Sequence, residues 1–103
     1  MTREASLVHT ECDYAVVSVN DDTTTVFTGP CILYGIYVNT VLSAQALPIK
    51  DGATTVVTVV ASAAAGTSIL YPGIRFNTSL VVDPNDAATG SITVAYRRVN
   101  PNP

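Results

Sequence analysis

The chain reads as all-β: a single antiparallel β-sandwich, jelly-roll-like, of about eight short strands preceded by an N-terminal arm. Three observations carry that expectation. Val and Thr dominate from residue 13 onward, and both are β-branched, which suits a pleated surface better than a helix. Turn-forming clusters punctuate the chain at short intervals, as they do in sandwiches and barrels. Apolar and polar residues alternate over several runs, the period of a strand with one buried face.

Residues 1–12 mix charged, hydroxyl and apolar types without a period, and they hold the only histidine, His9. They read as an arm that is ordered only where something holds it. The sandwich domain is expected over residues 13–99. Its first strand is placed at 14–19, ended by the turn cluster Asn20-Asp21-Asp22, and its second at 24–28. Gly29-Pro30 breaks the chain before a third strand at 31–39. Strands at 45–50 and 54–61 flank Asp51-Gly52, a hairpin signal because such a turn needs positive φ at its centre. Small residues at 62–66 lead to a short strand at 67–71, and Pro72-Gly73 reads as a further turn. A strand at 74–83, a loop at 84–90 and a last strand at 91–99 complete the domain. The tail, residues 100–103, is Asn-Pro-Asn-Pro, which cannot continue a ladder. Ala63-Ala64-Ala65 is too short to make a helix.

The face pattern goes further than the strand count. In the run 74–82, Ile74, Phe76, Leu80 and Val82 oppose Arg75, Asn77 and Ser79, and in the last strand Ile92, Val94 and Tyr96 oppose Thr93, Ala95 and Arg97. These have one core face and one solvent face. The run 31–38 differs. Counting by two, Ile32, Tyr34, Ile36 and Val38 share one face and Cys31, Leu33, Gly35 and Tyr37 the other, so both are apolar. Val56, Val57, Val59 and Val60 give the same double pattern. A strand apolar on both faces needs two covers, and a two-layer sandwich supplies one. The second cover is then the chain's own loops or another subunit.

Composition favours the subunit. Charged residues make up 13% of the chain, against about 25% in a typical soluble domain. Residues 23–49 and 52–74 carry no formal charge at all, with Lys50 and Asp51 alone between them. A homo-oligomer is expected, with Leu33, Tyr37, Val57 and Val59 as the self-association residues. The uncharged runs are not membrane spans, since Gly35, Asn39, Gln45 and Pro48 interrupt one and hydroxyl residues the other. With five basic residues and a net charge of −3, a phosphate-binding surface is not expected either. The only adjacent basic pair is Arg97-Arg98. The N-terminus shows no apolar signal region, so synthesis in a cytoplasm is expected, where Cys12 and Cys31 stay reduced.

Catalytic and metal chemistry find little footing. A hydrolytic triad needs a base beside its nucleophile, and the one histidine sits in the arm. His9, Cys12 and Cys31, with Asp13 nearby, supply one close-spaced zinc pair and lack the second. Asp83-Pro-Asn-Asp86 offers oxygen ligands without an ordered calcium loop, and with Asn20-Asp21-Asp22 it reads as a local turn. No enzyme and no cofactor is expected. Tyr34, Tyr37, Tyr71 and Tyr96 are candidates for stacking on a glycan, against the commoner role of tyrosine in cores and interfaces.

Over residues 35–98 the sequence resembles small virion proteins of tailed bacteriophages. The stretches that carry the likeness are Gly-Ile-Tyr-Val-Asn-Thr (35–40), Ile-Lys-Asp-Gly-Ala-Thr-Thr (49–55), Tyr-Pro-Gly-Ile-Arg-Phe-Asn-Thr-Ser-Leu-Val-Val-Asp (71–83) and Ala-Thr-Gly-Ser-Ile-Thr-Val-Ala-Tyr-Arg (88–97). The resemblance implies a capsid decoration (cement) protein. Such a protein would act without catalysis, as a trimer on the capsid surface, bound where major capsid subunits meet and made in the host bacterial cytoplasm. It transfers no site residues. The arm, with Arg3, Leu7, Val8 and His9, is the expected docking element on the shell. The alternative is a carbohydrate- or receptor-binding module of a head fibre or tail.

Overall fold

The computed structural model describes residues 12–20, 22–85 and 87–99. Among them are eight strands and no helix: β1 (Asp13–Ser18), β2 (Thr24–Thr28), β3 (Cys31–Thr40), β4 (Leu47–Asp51), β5 (Thr54–Val59), β6 (Ser68–Phe76), β7 (Ser79–Val82) and β8 (Ser91–Arg98). The arm apart from Cys12, and the tail, lie outside the described residues.

Pairing is nested and antiparallel: β1 with β8, β2 with β7, β3 with β6, and β4 with β5. Two more pairings, β3 with β8 and β4 with β7, join these ribbons into two sheets. Sheet A runs β1-β8-β3-β6 and sheet B runs β2-β7-β4-β5. One long antiparallel ribbon folded over on itself in this way is a jelly roll. The four longer connections meet at one end. There Val19 N–H donates to Gly90 O (2.8 Å), Leu42 N–H to Ala63 O (2.9 Å) and Ser43 N–H to Thr89 O (3.2 Å). Gly90 is at φ +117°, and a Cβ there would lie 2.8 Å from Val41 O and from Leu42 Cδ2. Only glycine admits so close a backbone approach at that φ.

The core lies between the sheets. Cys31, Leu33, Ile36 and Val38 of β3, Ile92 and Val94 of β8 and Phe76 of β6 meet Leu47 and Ile49 of β4, Val59 of β5 and Leu80 and Val82 of β7, all of them buried. Each large side chain withdrawn from water in this way contributes about 1.5–3 kcal/mol. Phe27 of β2 and Tyr96 of β8 close one side of it, with ring centroids 5.9 Å apart.

The face assignment of β3 needs correction. Against both neighbours, β6 and β8, the register shifts between Leu33 and Gly35. Tyr34 is the extra residue of a β-bulge, which puts two successive positions on one face and inverts the alternation beyond it. The inward set is therefore Cys31, Leu33, Ile36 and Val38, while Ile32, Tyr34 and Tyr37 turn outward. Leu33 and Val59, expected to serve self-association, are fully buried in the chain's own core and present nothing to a second copy. A similar shift in β5 leaves Val56 as the extra residue opposite β4, so Val57 and Val59 face in.

Two turn assignments change as well. Pro72-Gly73 does not end a strand. β6 runs through it, with residues 71–73 bulging opposite Tyr34, because Leu70 pairs with Gly35 and Ile74 with Leu33. The run 74–83 is not one strand but two, since the chain crosses from sheet A to sheet B at Asn77-Thr78. Ile74, Phe76, Leu80 and Val82 still all point inward, from opposite sheets onto the same core. At the β4–β5 hairpin the loop is Gly52-Ala53, and Asp51 is the last residue of β4. The other strand ends differ from expectation by two residues at most.

Candidate binding face on sheet A

Among the described residues, four of the seven large apolar side chains left exposed stand on the outer face of sheet A, the other three being Val41, Val56 and Val60. Tyr14 is 73% exposed, Val16 66%, Leu70 82% and Tyr37 47%. The register sets them on two adjacent rows. Tyr14 of β1 pairs with Ala95 of β8, Ala95 with Gly35 of β3, and Gly35 with Leu70 of β6. In the next row Val16 pairs with Thr93, Thr93 with Tyr37, and Tyr37 with Ser68. The first row is tall at its ends and low in the middle, because alanine and glycine stand between Tyr14 and Leu70. A Cβ on Gly35 would meet Ile69 O at 3.1 Å and Leu70 Cδ2 at 3.4 Å, so a larger residue on the floor of this trough would crowd its neighbours. Strand spacing of about 4.8 Å makes the row roughly 14 Å wide, and with its side chains the patch covers a few hundred Å².

Around this centre the face becomes polar. The next row toward the β3 start is Arg97, Ile32 and Arg75. Arg75 Nε donates to Asn77 Oδ1 (2.9 Å), and Asn39 Nδ2 donates to Thr93 Oγ1 (2.8 Å). The face thus has an aromatic and aliphatic centre with a basic end. Ile32 and Tyr34 are partly roofed by the β6 bulge, since a Cβ on Gly73 would lie 3.4 Å from Ile32 Cγ2 and Tyr34 Cε1.

Of the residues singled out from the sequence, Tyr37 and Tyr34 lie on this face. Val57 is half-buried and packs on the core. Tyr71 and Tyr96 also pack against the core, and burial pushes the Tyr71 hydroxyl above its ordinary pKa. Arg3, Leu7, Val8 and His9 lie outside the described residues. Cys31 is buried and unbonded, its thiol pushed up by burial and then by the Asp51 charge, while Cys12 is exposed. Tyr14, Val16 and Leu70 were not picked out from the sequence. The available signal was in β1, where Tyr14, Ala15, Val16 and Val17 put apolar residues on both faces.

The acidic turns serve the scaffold. Asp51 accepts backbone N–H bonds from Asn77 (3.0 Å), Thr78 (2.8 Å) and Ser79 (3.3 Å), clamping the corner where the chain changes sheets. Those bonds favour the charged form and hold its carboxyl below the usual range. Asp83 accepts from Lys50 Nζ (2.6 Å) and Thr23 Oγ1 (2.8 Å), which lowers it too. Asn20 Oδ1 accepts from Asp22 N–H at 2.9 Å, a local turn bond. Among the described residues no group of three His, Cys, Asp or Glu side chains stands close enough to hold a metal ion, and no helix is long and apolar enough to cross a membrane.

Compared with known proteins, the chain matches no family model, no curated protein and no solved structure.

Proposed function

We propose that this chain is a non-enzymatic structural subunit of a bacteriophage virion, a capsid decoration protein that docks on the shell through the outer face of sheet A. The observation that carries the reading is the exposed set Tyr14, Val16, Tyr37 and Leu70 on that face. A contiguous apolar patch rimmed by polar residues marks a contact site, and flat sheet faces suit protein surfaces. The likeness to phage virion proteins supports a capsid as the partner, with trimers at positions where major capsid subunits meet. Chain continuity supports the arm as part of the same contact, because residues 1–12 lead directly into β1 and its Tyr14 and Val16. A jelly roll is shared by viral capsid and lectin domains alike, so the fold by itself favours neither. Binding across several shell subunits stabilises the assembled state alone, which is how a cement protein acts.

The test is co-sedimentation of the purified chain with shells of the same virus that lack it. The native chain should pellet with shells, and the double variant Tyr14→Ser, Leu70→Ser should stay in the supernatant while keeping its circular dichroism and melting temperature. Equal pelleting of the two would remove the face from the contact.

A second reading rests on a separate observation: Tyr14, Tyr34 and Tyr37 share this face, an arrangement able to stack sugar rings. Binding of soluble glycans with no affinity for shells would favour a carbohydrate-binding module instead.

A further inference from the structure

The charges of this chain are sorted between its two sheets. The strands of sheet A hold Arg75, Arg97 and Arg98 with one acid, Asp13, although the chain as a whole carries a net charge of −3. Asp13 and Arg98 pair at 3.0 Å, and their register partners, Tyr96 and Cys31, pack in or against the core. Among the described residues, Arg75 and Arg97 are then the only charged side chains at outward positions of sheet A's strands. Over sheet B, by contrast, Lys50 is bonded to Asp83.

Both arginines are register partners of Ile32, one on each side of it. Two strand spacings of about 4.8 Å set their Cα atoms roughly 10 Å apart, so side chains of this length reach a common point above Ile32. Arg75 Nε donates to Asn77 Oδ1 at 2.9 Å, which steadies the guanidinium and leaves its four other N–H groups for a further acceptor. Arg97 has an interaction of its own, and the five donors of a guanidinium are not used up by one partner.

We infer that the row Arg97, Ile32 and Arg75 seats a carboxylate of the protein docked on sheet A, so that the partner surface is acidic at that end and apolar over Tyr14 and Leu70. The inference rests on the outer face of sheet A being a docking face, and adds what the docked surface must carry. Charge decides the occupant. Interfaces are complementary in potential, so a face whose only charges are two arginines selects acidic surfaces and rejects basic ones. Guanidinium forks match carboxylates bidentately. Ile32 is half-buried, and an apolar floor that excludes water once covered strengthens such a pair. Nucleic acid fits less well, because a phosphate chain is held by a stripe of cations and the rest of this chain is acidic. The apolar trough begins one row along, beyond the Tyr34 bulge, so the partner's carboxylate and its apolar anchors stand roughly 7–10 Å apart.

The probe is a blocked peptide, Glu-Leu-Gly-Leu-Glu, compared with its counterpart carrying Gln for Glu, each titrated into the full isotope-labelled chain. The acidic peptide should move the Arg75 and Arg97 Nε–H and Ile32 N–H resonances and bind about tenfold tighter than the neutral one. The difference should vanish at 1 M salt, where the Debye length is about 3 Å. It should vanish too in Arg75→Gln with Arg97→Gln, whose melting temperature should be unchanged. Equal binding of the two peptides overturns the inference, as does a stronger response of the same resonances to inorganic phosphate. Glu4→Gln with Glu11→Gln should leave the acidic peptide's affinity as it is; a tenfold rise would mean that the chain's own arm fills the seat, and overturns the inference as well. Shells separate this from the docking reading. Pelleting that persists at 1 M salt and in the arginine double variant keeps the docking face and overturns the acidic partner. Peptide discrimination without pelleting supports the carboxylate seat and removes the shell.

Discussion

The outer faces of the two sheets are built from similar strands and finished differently. On sheet B the central outward apolar residue is Val81, which pairs with Lys50 on one side and Thr25 on the other and is 8% exposed. The Lys50–Asp83 ion pair and the Thr23 hydroxyl bond stand over the same strands, and Pro48 and Thr58 form the next outward row. On sheet A the exposed outward apolar residues are Tyr14, Val16, Tyr37 and Leu70, with Ala95, Gly35 and Thr93 between them. A long lysine stem can cover apolar surface while its charge stays in water. On sheet B Lys50 stands beside Val81, and on sheet A Arg97 and Arg75 flank Ile32, while Tyr14, Val16, Tyr37 and Leu70 have no Lys or Arg in their own rows. Exposed apolar side chains are therefore gathered mainly on the outer face of sheet A, although that face also carries Arg75 and Arg97 at one end.

The sharpest way to break this comparison is within sheet A itself. Leu33 and Leu70 belong to neighbouring strands but opposite faces. Leu33→Ala should cost about 2–5 kcal/mol in urea denaturation, because it opens a cavity in the core. Leu70→Ala should change stability by no more than about 0.5 kcal/mol, as surface substitutions do. Similar losses at the two positions would mean that Leu70 is covered within the chain. Gly90→Ala comes next, and a loss of about 1–3 kcal/mol is expected from the positive φ and the 2.8 Å approach to Val41 O. It should loosen the long-loop end without altering either outer face.

Acid separates the two sheets' supports. The folded pKa values of Asp51 and Asp83 are lowered, so their stabilisation is complete above the unfolded carboxylate value of about 3.9 and is lost as pH falls through the lower folded values. A melting temperature that holds steady from neutral pH to about 5 and declines below about 4 is expected. Asp51→Asn should flatten part of that decline. A decline that sets in near pH 6 would contradict the assignment. The smallest effect is on the sheet B finish. Lys50→Ala should cost under about 1 kcal/mol, since the pair is partly exposed, while increasing binding of a hydrophobic dye by uncovering Val81. Tyr14→Ser with Leu70→Ser should decrease dye binding on the other face.

Much of this molecule was legible in advance, and the parts that were not share a cause. The β class, the order of elements and the inward residues of β8 follow from branched side chains, turn residues and a period of two, all of which are local. The docking face was only half legible. Counting by two from Cys31 sets Leu33 and Tyr37 on one face, whereas the bulge at Tyr34 between them turns Leu33 inward and Tyr37 outward. A bulge is set by which carbonyls and amides of two neighbouring strands find each other, and no property of Tyr34 or Gly35 alone announces it. The double apolar pattern in β5 has the same origin at Val56.

By itself the sequence determined that the chain must form short antiparallel strands, that Asp51 stands at a hairpin, and that residues 23–49 and 52–74 leave some surface without charge. Tertiary structure decided where that surface lies. It placed Pro72-Gly73 inside a strand rather than at its end, sent the Asp51 carboxylate to amides 26 to 28 residues away, and left Tyr14, Val16, Tyr37 and Leu70 together on one face. The physical reason is that burial belongs to a pair of surfaces. A side chain's type decides whether it gains by being covered, and only the register of strands distant in sequence decides whether anything is there to cover it.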